Sequence, residues 1–147
     1  MKDSVTVTFP SHPKYLSAIR SLAEKMCLIC GMTDTEAEDV KLAVDEACSN
    51  VIKHAYKGDT ANKIVVKFRT GRKGFEVVIE DSGLKADPAF IRGRDLDDVR
   101  PGGLGIHLIK RAFDVFEFDE LRKKGNRLRL IRHLKDSREN EMTAQEL

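Results

Sequence analysis

The amino-acid sequence predicts an α+β protein, a two-layer sandwich in which helices cover one face of a mixed, largely antiparallel sheet. Two observations carry this expectation. Short runs with period-two or β-rich patterning occur near the start, in the middle and near the end of the chain, and glycine-containing turns joining them favour antiparallel hairpins. Two long stretches with apolar residues at three- and four-residue spacing fall together after the first strand, and a shorter one follows later.

Ser4 to Phe9 alternates strictly, with Val5, Val7 and Phe9 on one side, as a half-buried strand requires. Pro10 and Pro13 end that pattern. Tyr15, Leu16, Ile19, Leu22, Ala23, Met26 and Cys27 then recur at helical spacing until Gly31 stops the helix. Thr33 and Glu36 have the spacing of a capping box. Behind them Ala37, Val40, Ala43, Val44, Ala47, Val51 and Ala55 form the stripe of the longest helix, which runs to Tyr56 before Gly58. Ile64 to Arg69 and Phe75 to Asp81 are β-rich runs joined by Thr70-Gly71-Arg72-Lys73-Gly74. From Ser82 to Gly103 periodicity disappears over roughly twenty residues, a length that inside a compact domain means either a functional lid or an element the pattern fails to reveal. Gly105 to Phe113 resumes a helical pattern through Ile106, Leu108, Ile109 and Ala112. Val115 to Phe118 and Arg127 to Leu134 read as two further strands joined at Lys124-Gly125-Asn126. Residues 1–134 are expected to form one domain, and 135–147 a polar C-terminal tail.

The chain of 147 residues is long enough to close one core without disulfides or metals. Its 26 Lys and Arg residues nearly cancel its 24 Asp and Glu residues, which argues against direct nucleic-acid binding. No apolar run approaches the ~20 residues that span a bilayer, and the start leads into a strand rather than a signal peptide, so no membrane and a cytoplasmic location are expected. Cys27, Cys30 and Cys48 are an odd, sparse set suited to a reducing compartment. Cys27 and Cys30 form a C-x-x-C, but no second pair completes four metal ligands, and the pair reads as small buried residues at a helix end.

Three groups of residues have the chemistry of a site. Glu46, Asn50 and His54 are spaced by four, so a regular helix stacks them about 6 Å apart beside the apolar stripe. A carboxylate and a carboxamide placed so can act on one ion and its water, although a solvated helix face has the same spacing. Asp81 ends a strand and is followed by Ser82-Gly83; it can accept a hydrogen bond from an exocyclic amine such as that of adenine, while an ordinary strand exit favours the same residues. Arg100-Pro101-Gly102-Gly103-Leu104-Gly105-Ile106 places glycines just before a helix, where free N–H groups suit phosphate oxygens; a flexible helix entry is the alternative. This is neither a Walker loop nor a dinucleotide fingerprint, and the H-R-D and D-F-G signatures of the large protein-kinase class are missing.

Together and in this order, these pieces resemble the ATP-binding domain shared by gyrase, the chaperone Hsp90, histidine kinases and MutL, a Bergerat-type fold. They are most similar to its small stand-alone branch, the anti-sigma-factor serine kinases. The resemblance runs from the first strand to about Leu134 and is carried by Asp45-Glu46-Ala47-Cys48-Ser49-Asn50 with Val51-Ile52-Lys53-His54-Ala55-Tyr56, by Asp81-Ser82-Gly83, by Gly102 to Ile109 and by Gly125-Asn126. It implies that Asn50 ligates the Mg²⁺ of bound ATP and that Glu46 is the general base or orients the nucleophile. It further implies that Asp81, with Gly83 beside the ring, binds adenine, and that Gly102, Gly103, Leu104 and Gly105 line the phosphates under a lid. Lys53 is one turn after Asn50 and within reach of a phosphate.

Two departures stand out. Leu84-Lys85-Ala86-Asp87-Pro88 follows Gly83 where larger branches have another glycine, as is usual in the anti-sigma branch. Asn126 replaces the family's threonine near the adenine pocket, putting an amide where a hydroxyl is expected. The lid carries Arg92, Arg94 and Arg100 as candidates for stabilising transition-state charge. The expected function is an ATP-dependent serine kinase that phosphorylates a small antagonist protein and sequesters a sigma factor, acting as a homodimer. A nucleotide-gated partner-binding module without turnover is the alternative. The detached catalytic half of a histidine kinase ranks third, since no segment offers a dimerisation stalk with a phosphoacceptor histidine.

Overall fold

The computed structural model describes residues 3–72, 74–86 and 103–135. Strand β1 (Asp3–Pro10) leads through a 3₁₀ turn at Pro13–Tyr15 into helix α1 (Leu16–Ile29), followed by α2 (Asp34–Asn50), which closes in a π turn at Val51–Ala55. Strands β2 (Lys63–Thr70) and β3 (Gly74–Asp81), helix α3 (Gly103–Ala112) and strands β4 (Val115–Phe118) and β5 (Asn126–His133) complete the order. The lid segment 87–102, with Arg92, Arg94, Arg100 and Gly102, and the tail from 136 onward lie outside the described residues.

The five strands form one sheet in the order β1-β2-β3-β5-β4. Every pairing among the described residues is antiparallel, where a mixed sheet was expected, because each new strand pairs beside an oppositely directed neighbour. The register aligns the apolar rows of the strands. Phe9 lies opposite Ile64, Val66 opposite Ile79, and Phe68 opposite Val77. Val77 in turn faces Leu130, Ile79 faces Leu128, and β4 adds Phe116 opposite Leu130. These side chains form the sheet's contribution to the core, with Ile64, Val66, Phe68, Phe75, Val77 and Leu130 fully buried.

Helix α2 is the centre of the other layer, packed between α1 and α3. Its stripe of Ala37, Val40, Ala43, Val44 and Ala47 is small, which lets the helix approach its neighbours closely, and all five residues are buried. The capping box forms as the sequence predicts: the Glu36 N–H donates to Thr33 Oγ1, and the Thr33 N–H donates to Glu36 Oε1. The other Glu36 oxygen accepts from Arg132, whose guanidinium also donates to the Ala112 carbonyl, joining the start of α2, the end of α3 and β5. The Thr33 N–H and Arg132 together hold the Glu36 carboxyl below the usual range. Cys27 and Cys48 are buried in this core, and burial pushes both thiols up to about 12.

The opposite face of the sheet carries charge. Glu80 is paired with Lys67, Arg122 and Arg127, and Glu76 with Arg69 and Arg129, the last of which also reaches Glu117. Val78 belongs to this face yet is buried; its cross-strand neighbours are Lys67 and Arg129, residues whose long aliphatic stems suit them to shield an apolar side chain.

Candidate active site

A cleft of about 290 Å³ opens between the end of α2, the start of α3 and the inner face of β3, β5 and β4. This is the lower end of the range for small-ligand sites, roughly 300–1,000 Å³. Most of its wall is apolar: Ala47, Val51 and Ala55 from the helix, Ile79 and Leu128 from the central strands, Ile106 and Ile109 from α3, and Phe116 and Phe118 from β4. The polar groups are few. Asn50 and His54 project from the helical side, Asp81 and Asn126 from the sheet, and Lys57 and Lys85 join the lining.

Strand parity puts Asp81 here. It shares the inner face with Val77 and Ile79, and the register that sets Ile79 opposite Leu128 sets Asp81 opposite Asn126. Asp81 is only 4% exposed. Its Oδ1 accepts from the Gly83 N–H at 2.9 Å and from Asn126 Nδ2 at 3.0 Å, while Oδ2 has the longer Asn126 contact at 3.2 Å. Burial raises the carboxyl above its usual range, against the lowering effect of the Gly83 N–H and the Asn126 amide.

The loop leaving β3 is fastened to the end of the long helix. The Leu84 N–H donates to the Ala55 carbonyl at 2.8 Å. A side chain at Gly83 would stand 2.6 Å from the Ala55 carbonyl carbon and 2.9 Å from its Cβ, so glycine is required for this approach. Gly125, at φ +70°, brings the β4–β5 turn equally close, since a Cβ there would lie 2.7 Å from Ser82 Cα. Tyr56 makes the third fastening. Its phenol donates to the Lys63 carbonyl at 2.6 Å and accepts from the Ser82 N–H at 2.8 Å, and burial raises the phenol pKa.

The expected regular stack of Glu46, Asn50 and His54 holds only as far as Asn50. Beyond it the helix widens, with the Tyr56 N–H donating to the Val51 carbonyl five residues back, as such turns do at many functional sites. His54 lines the cleft from this wider turn. Glu46 is half-buried, one turn before Asn50, and lies outside the cleft's lining, as do Lys53, which is exposed, and Gly83. The glycine segment also differs from expectation. The helix expected from Gly105 starts two residues earlier, so Gly103 and Leu104 join Gly105 in the first turn of α3, where their backbone N–H groups have no acceptor within the helix. Ile106, the next residue, is buried and lines the cleft, so that turn adjoins it.

Sequence reasoning missed Tyr56 as a fastening, the Phe116 and Phe118 wall, and the Asp81–Asn126 pairing. The signal for the last was present in the alternation of β3 and β5, but it becomes readable only once those two strands are known to be neighbours. Among the described residues no helix is long and apolar enough to cross a membrane.

Comparison with known proteins agrees with this geometry. Residues 9–132 match the model of the histidine kinase-like ATPase domain. The chain is similar to the serine-protein kinase RsbW of Listeria innocua, 32% identical over 122 residues that cover 78% of each chain. It is similar also to RsbW of Bacillus subtilis strain 168, 30% identical over 120 residues, or 76% of this chain and 75% of that one, and to RsbW of Bacillus velezensis at 28% over 120 residues. With a domain match over most of its length and relatives of this identity and coverage, the chain belongs to the histidine kinase-like ATPase family, in the branch of the RsbW serine-protein kinases.

Proposed function

We propose that the chain is an anti-sigma-factor serine kinase that transfers the γ-phosphoryl group of ATP to a small antagonist protein, and that it sequesters a sigma factor when the antagonist is absent or phosphorylated. The observation that carries the reading is the buried Asp81 carboxylate in a largely apolar cleft. Among the described residues its Oδ2 has only the 3.2 Å Asn126 contact, and a planar base bearing an exocyclic amine, such as adenine, supplies a further donor. The Ile79, Leu128 and Ile106 walls give such a ring apolar contact.

Asn50, on the same wall as Ala47 and Val51, would hold Mg²⁺ through its side-chain oxygen. Phosphate oxygens and waters would supply the ion's remaining ligands, as is usual for Mg²⁺ bound with a nucleotide. Bound ATP with Mg²⁺ supplies the transferable phosphoryl group and spreads its negative charge. The chain's residues position and polarise. The first-turn N–H groups of Gly103, Leu104 and Gly105, preceded by Gly102, would face phosphate oxygens with the positive end of the α3 dipole, and Lys53 would add a cation from the neighbouring turn. Glu46 would accept the proton of the substrate serine as its oxygen bonds to phosphorus and ADP departs. A cytoplasmic homodimer is part of the same reading.

Intact-mass measurement of a candidate antagonist, incubated with the protein and Mg-ATP, tests the proposal. One added phosphoryl group on an antagonist serine is expected, and Glu46→Gln and Asn50→Ala should abolish it. Glu46→Gln transferring at the wild-type rate would remove Glu46 from its role. No transfer by the wild type, together with thermal stabilisation by Mg-ATP, would instead favour a nucleotide-gated binding module. Light scattering after gel filtration measures the dimer.

A further inference from the structure

Asn126 uses all of its amide. Nδ2 donates to both Asp81 oxygens and, at 2.8 Å, to the Leu84 carbonyl, while Oδ1 accepts from the Ala86 N–H at 2.8 Å. Only this orientation works, because a flipped amide would set its oxygen against the Asp81 carboxylate and the Leu84 carbonyl. The side chain therefore joins the recognition carboxylate on β3 to the loop that leaves it. A hydroxyl at this place has one proton to give, so it cannot donate to both Asp81 and the Leu84 carbonyl.

We infer that Asn126 is the positioning residue that sets base selectivity, holding Asp81 fixed as an acceptor through the N–H it shares between the two carboxylate oxygens while its other N–H is held by the Leu84 carbonyl. This deepens the adenine-site reading and rests on it. The electrostatics run in one direction. Asp81 is buried, which favours its neutral form, and a protonated carboxyl presents a donor as readily as an acceptor. By donating to both oxygens, the amide stabilises the anion and leaves Oδ2 able only to accept. An anion so placed accepts from the 6-amino group of adenine and repels the 6-keto oxygen of hypoxanthine. Selectivity of this kind comes from the penalty on the wrong group, not from added attraction for the right one.

The test compares ATP with ITP, which differ at that position of the base, by titration calorimetry on the intact protein with Mg²⁺. Wild type, Asn126→Ala and Asn126→Asp are measured, each after its thermal unfolding is recorded. The wild type is expected to prefer ATP by about tenfold or more, and Asn126→Ala to narrow the preference to about threefold or less, with ATP weakened more than ITP. Asn126→Asp sets two carboxylates together, so one of them takes up a proton more readily; its preference for ATP should be kept at pH 8 and narrow towards pH 6, a dependence that loosened packing would not produce. A full ATP-to-ITP ratio in Asn126→Ala would overturn the inference while leaving the adenine site standing. If Asn126→Ala does not fold, a pH-independent ratio in Asn126→Asp overturns it. Equal affinity of the wild type for ATP and ITP would bring down the adenine reading itself, and this inference with it.

Discussion

Replacing Gly125 by alanine should damage the protein more than its backbone conformation alone explains. At φ +70° an alanine pays a left-handed penalty of about 1–2 kcal/mol. Its Cβ would also collide with the Asp81 carbonyl, standing 2.8 Å from the Asp81 carbonyl carbon and 2.7 Å from Ser82 Cα. These are backbone atoms at the end of a paired strand and cannot turn aside as a side chain would. Overpacking of this kind costs about 1–3 kcal/mol, and prising β5 from the end of β3 weakens a hydrogen bond worth about 1 kcal/mol. A total of about 3–6 kcal/mol follows, which in a domain of this size lowers Tm by roughly 10–20 °C. Gly58 provides the control. It has φ +83° with no atom within 4 Å of a built Cβ, so Gly58→Ala carries the conformational penalty without the collision. Both variants should be melted by circular dichroism, with and without Mg-ATP. Gly125→Ala should melt well below Gly58→Ala and gain less from nucleotide, because the displaced backbone carries Asp81. Equal melting temperatures would refute the close packing of the β4–β5 turn against the Asp81 loop.

Other consequences are open to simpler tests. Tyr56→Phe keeps the ring but deprives the Ser82 N–H and the Lys63 carbonyl of their shared partner, and should cost about 1–3 kcal/mol in urea denaturation; a loss below about 0.5 kcal/mol would show that water replaces the phenol. Thr33→Ala removes the oxygen that accepts the Glu36 N–H and should cost about 1 kcal/mol by the same method, with no change in nucleotide affinity. The buried thiols make stability depend on alkaline pH. Because the Cys27 and Cys48 thiols are raised to about 12 in the fold and ionise near 9 when unfolded, the unfolded chain loses protons first, and stability falls between about pH 9 and 12. The slope should approach about 2–3 kcal/mol per pH unit for the two together, and a Cys27→Ala, Cys48→Ala double variant should flatten it. An unchanged slope would place those thiols in contact with water.

The elements of the fold were legible because their signals are local. Thr33 and Glu36 announce the start of α2, its alanine-rich stripe announces the helix, and alternation announces β1. Element ends were less legible where tertiary contacts decide them. Nothing in Val51-Ile52-Lys53-His54-Ala55 announces a π turn; the Ala55 carbonyl is claimed by Leu84, almost thirty residues on in the chain. The glycine-rich segment reads as the entry to a helix resuming at Gly105, yet Gly103 already belongs to the first turn of α3, where the cost of glycine is smallest. For the site, the sequence supplied Asn50, Asp81 and Asn126 as candidates, and the structure brings all three to one cleft. What the sequence could not supply was the alignment of β3 with β5, which turns Asn126 from a second contact for the ligand into the partner of Asp81.

The charged outer face of the sheet distributes its dependence unevenly. Each arginine or lysine there shares its carboxylate with another cation, so losing one leaves the acid still neutralised, whereas Glu76 and Glu80 each answer for several cations at once. Drift at the basic positions is therefore tolerable, and drift at these two glutamates is not. Neutralising both would leave Lys67, Arg69, Arg122, Arg127 and Arg129 with Glu117 as the one remaining acid of these pairs, making an already basic face a stronger attractor of polyanions. Two carboxylates thus hold down the positive potential of the sheet's back.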